Sequence, residues 1–180
     1  AETWLSTMAK AAEREKITIQ YCMATPAMFM QQIHFPNVTN IRCSEDYNSR
    51  WKHNYDVSHF TQVNLLAWAL GILPFKDTFQ ESQPSRFRYV NNAKLMALIS
   101  NLSTGPVGPG SKIDHMIPEL LLYTCRSDGW LLKPDRPLTP VDLMYVPHKK
   151  YYITKTENTH DQLKWHYVVV CNLWPEMVKD

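Results

Sequence analysis

Two short runs carry the side chains that could do chemistry. The run Arg42-Cys43-Ser44-Glu45-Asp46-Tyr47 joins a guanidinium, a hydroxyl and two carboxylates at the end of a β-branched stretch that begins at Val38. A carboxyl group can protonate a leaving oxygen and later accept a proton from water or an acceptor hydroxyl, provided its surroundings favour the protonated form. Partial burial of Asp46 beside rings such as Tyr47 and Trp51 would do so. The plainer alternative is an Arg42–Asp46 ion pair closing a strand end. The second run, Pro74-Phe75-Lys76-Asp77-Thr78-Phe79, sets a carboxylate beside an ammonium. That pairing suits sugar hydroxyls, and an exposed turn explains it equally well.

Other chemistries lack their parts. Thr104-Gly105-Pro106-Val107-Gly108-Pro109-Gly110-Ser111-Lys112 approaches a phosphate-binding loop, but the order is Ser-Lys rather than Lys-Ser or Lys-Thr. Its two prolines also remove backbone N–H groups that would cradle phosphate. No Gly-x-Ser-x-Gly elbow is present, and no two of the seven histidines have metalloprotease spacing. Cys22, Cys43, Cys125 and Cys171 are too widely spread for a zinc knuckle or a redox pair. They read as small buried hydrophobes, with a Cys22–Cys43 disulfide between neighbouring strands as the alternative. Neither a cofactor nor a metal is expected.

The elements that must position these residues alternate. Glu2–Glu15 has the spacing of a one-faced helix, Ile17–Met23 is strand-like, Ala27–His34 is helical, and Val38–Ser44 is a second strand. Helix-strand alternation argues for a parallel sheet with crossover helices, whose functional groups gather at the carboxyl ends of strands. A polar loop, Glu45–Asp56, leads to an apolar helix over Ser58–Leu70 that ends at Gly71. Pro74–Tyr89 reads as a polar loop, Asn91–Asn101 as helix or strand, and Asp114–Tyr123 as a helix. From about Asp142 the texture changes, with strand-like runs at Met144–Val146, Tyr151–Thr156 and Trp165–Cys171 and no helix between them. The boundary therefore falls near residue 141, with α/β structure over 1–141 and antiparallel β structure over 142–180.

Composition fits a folded domain: 180 residues, 44% hydrophobic and 20% charged. A net charge of +2 is too balanced to point to nucleic acid. The apolar stretches around Leu65–Leu73 and Val168–Cys171 are too short to span a membrane. Aromatic residues make up 12%, with six Trp and nine Tyr, a content that suits both cores and sugar-binding clefts. Two N-glycosylation acceptors, Asn37-Val38-Thr39 and Asn101-Leu102-Ser103, point to a secreted or lysosomal glycoprotein. The chain starts at Ala1 with no signal-peptide pattern, so a processed or partial polypeptide is expected.

Taken in order, these pieces resemble the clan of retaining α-galactosidases, and within it the raffinose synthase and alkaline α-galactosidase branch. Arg42-Cys43-Ser44-Glu45-Asp46 resembles the clan's Arg-x-Ser-x-Asp signature. The apolar helix Phe60–Leu73, the loop Pro74–Phe79 and the phrase Ser127-Asp128-Gly129-Trp130 through Val141-Asp142 follow in the family's order. Trp165–Trp174 is similar to the first strands of its C-terminal β-sandwich. The resemblance implies the C-terminal half of a (β/α)8 TIM-type barrel followed by the start of an antiparallel β-sandwich. It implies Asp46 as general acid/base, Arg42 as its orienting or sugar-binding partner, and Asp77 as a sugar ligand. Trp51 and Lys76 complete the expected substrate-binding set, although Lys76 stands where the family has an aromatic and Glu45 where it often has Asp.

The family's nucleophile lies on an earlier strand, and a whole barrel takes roughly 250 residues. An upstream segment or a second chain is therefore expected to complete the barrel, with carbohydrate as the ligand. The rival expectation is a non-catalytic sugar-binding or structural subunit built on a decayed glycosidase barrel.

Overall fold

The computed structural model describes residues 2–46, 54–80, 93–146 and 151–172. The fold is mixed α/β, with one parallel and one antiparallel sheet of three strands each. Helix α1 (Glu2–Arg14) buries Leu5 and Ala9 on one side. Strand β1 (Ile19–Tyr21) is followed by α2 (Pro26–Gln31), which starts with Pro at its first turn and Thr25 as N-cap. A 3-10 turn at Gln32–His34 finishes that helical stretch before β2 (Val38–Arg42). Helix α3 (Asn54–Ala69) then leads into β3 (Leu73–Phe75). Gly71 ends α3 at φ +76, and the amides of Gly71 and Ile72 bond back to the carbonyls of Trp68 and Ala67. This is the Schellman closure that glycine permits without Cβ strain.

The parallel sheet runs β1-β2-β3 in chain order, pairing Tyr21 with Ile41 and Ile41 with Pro74. Tyr21, Ile41 and Cys43 are buried in a core with Phe60, Ala67 and Ile72 from the α3 segment. Gln20, Asn40 and Leu73 share the opposite face by register, and there Gln20 and Leu73 are exposed. Parallel sheets are ordinarily covered on both faces. Strand β3 takes in the first two residues of the expected loop Pro74–Tyr89, where Pro74 hid it. Pro74 is tolerated because β3 lies at the sheet edge.

The glycine loop owes its composition to packing. A Cβ on Gly105 would lie 2.0 Å from the Pro74 carbonyl oxygen. One on Gly108 or Gly110 would press within 3.1 Å of the Thr78 side chain. The Phe79 amide donates to the Gly108 carbonyl at 3.1 Å, and the Gly110 amide donates to the Phe79 carbonyl at 2.7 Å. The loop thus lies alongside the continuation of β3 in a parallel bridge, Phe79 opposite Pro109.

Helix α4 (Ala93–Asn101) resolves the helix-or-strand ambiguity, with Met96, Ala97, Ile99 and Ser100 buried. The expected helix over Asp114–Tyr123 breaks into a 3-10 turn at Ile113–His115 and a single turn, α5 (Pro118–Leu121). Pro118 forces its predecessor Ile117 into an extended conformation, so no continuous helix can pass. Met144–Val146 is not a strand, since Asp142–Tyr145 forms a 3-10 turn.

Strands β4 (Thr139–Pro140), β5 (Tyr151–His160) and β6 (Leu163–Asn172) pair antiparallel in that order. The change near residue 141 is one of strand pairing, and the core continues across it through Leu138, Tyr152 and Cys171. The Tyr152 hydroxyl lies 3.0 Å from Thr61 Oγ1 and donates to the Ser58 carbonyl at 3.2 Å. Asn64 Nδ2 donates to the Leu138 carbonyl at 3.3 Å. All of these α3 groups lie on the side that the antiparallel sheet covers.

Candidate functional site

The site stands where β2 and β3 end. The Cys43 amide donates to the Phe75 carbonyl at 3.0 Å, which carries the strand pairing one residue past β2. Ser44 Oγ then accepts the Asp77 amide at 2.8 Å and fixes the two strand ends to each other. Asp77 Oδ1 accepts the Thr78 amide at 2.9 Å, which orients its carboxylate. Arg42 reaches both acidic residues. Its Nη2 lies 2.7 Å from Asp46 Oδ1, and its Nη1 lies 3.6 Å from Asp77 Oδ2.

Burial grades across this cluster. The Arg42 side chain is 10% exposed and that of Asp77 18%, whereas that of Asp46 is 76% exposed. Arg42 Nε is buried with no hydrogen-bond partner among the described residues. The cluster therefore has a buried cation, one sheltered carboxylate and one carboxylate open to solvent. An ion pair does form between Arg42 and Asp46, as the plainer alternative had it, and it is shared with Asp77. The sheltering rings expected around Asp46, Tyr47 and Trp51, lie outside the described residues.

Lys76 departs from its expected role. Its side chain is fully buried, so its ammonium is not offered to a ligand at the surface. Side chains alternate along β3, and the step from Phe75 to Asp77 carries Lys76 inward. Asn101 also departs. It is 5% exposed, and its Nδ2 donates to the Leu132 carbonyl at 2.7 Å, so a glycan has no room there in the folded chain. Asn37 is half-buried, and its Nδ2 donates to the Ala9 carbonyl at 2.9 Å.

All four cysteines are free. The register that pairs Tyr21 with Ile41 puts Tyr21, Ile41 and Cys43 on one face and turns Cys22 to the other. The alternative Cys22–Cys43 disulfide is thereby excluded. Burial pushes the Cys43 thiol up to about 12, with a backbone hydrogen bond to Phe75 working more weakly in the opposite direction. A neutral thiol at that depth is not a nucleophile.

Beside the cluster lies a cavity of about 410 Å³. Arg42, Ser44 and Glu45 border it from the end of β2, and Met23 and Phe29 from the β1–α2 side. His59, Val63 and Leu66 close it from α3. Sequence reasoning missed these last three. Their spacing, four residues and then three, was the available signal, since it sets them on one helical face. Among the described residues no group of three or more His, Cys, Asp or Glu is placed to hold a metal ion. Among them, too, no helix is long and apolar enough to cross a membrane.

No family model, curated protein or solved structure matches the chain.

Proposed function

We propose that this chain is the strand-end portion of a carbohydrate-active protein of the α-galactosidase and raffinose synthase type, acting on an α-linked sugar. The observation that carries the reading is Arg42 spanning Asp46 and Asp77 at the carboxyl ends of adjacent parallel strands. Strand ends of that kind are where α/β folds hold their ligands. Asp46, open to solvent, would protonate the glycosidic oxygen and later take a proton from water or an acceptor hydroxyl. Arg42 would orient it, and Asp77 would accept a sugar hydroxyl. The nucleophile would come from an upstream segment or a second chain, and the fold is then half of a (β/α)8 barrel followed by a β-sandwich. The exposure of Gln20 and Leu73 on one sheet face, and β1 lying at the edge of the sheet among the described residues, support that incompleteness. A secreted or lysosomal location now rests on the Asn37 acceptor.

A second reading, non-catalytic sugar binding, draws on a specific observation. Asp46 is three-quarters exposed and ion-paired, rather than sheltered as a proton donor usually is. The two readings separate in the protein assembled with its nucleophile-bearing segment. Asp46→Asn should lower turnover of an α-glycoside by about 100- to 10,000-fold with folding intact. Full turnover in that variant would remove Asp46 from the chemistry. Saturable sugar binding with no turnover in the parent protein would establish the binding role.

A further inference from the structure

The cavity beside the Arg42 cluster is built unlike a plain sugar site. Apart from His59 of α3, its polar side chains, Arg42, Ser44 and Glu45, lie on the β2 side, which is the side shared with Asp46 and Asp77. Met23 and Phe29 from the β1–α2 side, with Val63 and Leu66 from α3, give the rest of the lining hydrocarbon. A hexose offers hydroxyls around most of its rim and would leave them unpaired against such a wall, a costly arrangement. A volume of about 410 Å³ is in the range of small-molecule sites, which pair an apolar lining with a few convergent polar groups.

We infer that this cavity is an aglycone subsite, taking the apolar alkyl or aryl group of a glycoside whose sugar lies on the Arg42–Asp46–Asp77 cluster. The inference rests on the sugar reading above and adds the chemistry of the leaving group. The ligand is then amphiphilic, with hydroxyls toward Asp46 and Asp77 and hydrocarbon toward Phe29 and Leu66. Continuity of the two regions through Arg42 and Ser44 fixes this order.

The test is calorimetric titration of the full chain with matched methyl and hexyl α-hexosides of galacto and gluco configuration. The hexyl compound should bind at least tenfold more tightly than its methyl partner. A charged wall, Leu66→Glu with Met23→Glu, should abolish that preference and leave methyl-glycoside binding unchanged. Both positions tolerate charge in the folded chain, since Leu66 is 46% and Met23 76% exposed. As a check independent of the variants, the Met23 methyl resonance should shift with the hexyl compound and not with the methyl one. Equal affinity for the two compounds would overturn the subsite and leave the sugar reading standing. A hexyl preference that survives both charges, with a silent Met23 methyl, would overturn its placement. Binding of neither compound would overturn the sugar reading, and the subsite with it.

Discussion

At the residue scale, Arg42 decides the site. It is nine-tenths buried and touches two carboxylates, so its removal takes a charged partner from each of them. Arg42→Met should cost about 2 kcal/mol, seen as a melting temperature lower by roughly 4–8 °C. Asp46 is exposed, and its half of the bridge is screened by water. Asp46→Asn should therefore change stability by less than about 1 kcal/mol, so any loss of sugar handling in that variant belongs to the site rather than the fold. Equal destabilisation by the two substitutions would contradict this division of labour. The cysteines give a second residue-scale test. A thiol reagent at pH 8 should label exposed Cys22 at once, and buried Cys43 and Cys171 only after denaturation. The residues of this cluster were legible in the sequence because they adjoin a strand end. The buried Lys76 was not, because a charged side chain beside an Asp reads as surface until the strand that turns it inward is known.

At the element scale, the early alternation of helix and strand was readable because α1, β1, α2 and β2 each have an apolar period of their own. Strand β3 was hidden by its brevity and by Pro74, which only an edge position permits. The glycine loop misled for a related reason. Its glycines answer a steric demand from β3, and sequence shows a glycine without showing what it must approach. Gly105→Ala should cost about 3 kcal/mol, because its Cβ would lie 2.0 Å from the Pro74 oxygen. Gly71→Ala, at φ +76 with open space around it, should cost only about 1 kcal/mol. Thermal melts of the two variants check the order. The larger loss at Gly71 would mean that the loop does not buttress β3.

At the scale of the whole molecule, one core joins the parallel and antiparallel sheets through α3, Leu138 and Tyr152. Unfolding should accordingly be a single transition by circular dichroism and by tryptophan fluorescence. Two resolved transitions would make the change near residue 141 a true domain boundary. The same core sets the response to alkali. Burial raises the thiols of Cys43 and Cys171 above their ordinary 9.0 and the phenols of Tyr21 and Tyr152 above 10.0. Above those ordinary values the unfolded chain has released protons that the folded chain still holds, so the stability of the fold falls as pH rises. Lys133, lowered from 10.5 by burial, works in the opposite sense, since the desolvation penalty of its charged form is relieved once it is neutral. With four groups against one, the melting temperature should drop by about 5 °C or more between pH 8 and pH 10.5. A flat profile would mean that these groups are wetter than their burial indicates.

Whether the strand-end cluster holds sugar is probed most directly at Arg42. Its Nε–H is buried without a hydrogen-bond partner among the described residues and should give a resolved signal in a nitrogen-proton spectrum. Titration with a methyl α-hexoside should shift that signal and the Asp77 amide together, saturably, and Asp77→Ala should weaken binding tenfold or more. A spectrum in which neither signal moves at saturating sugar would contradict a carbohydrate site at this sheet end.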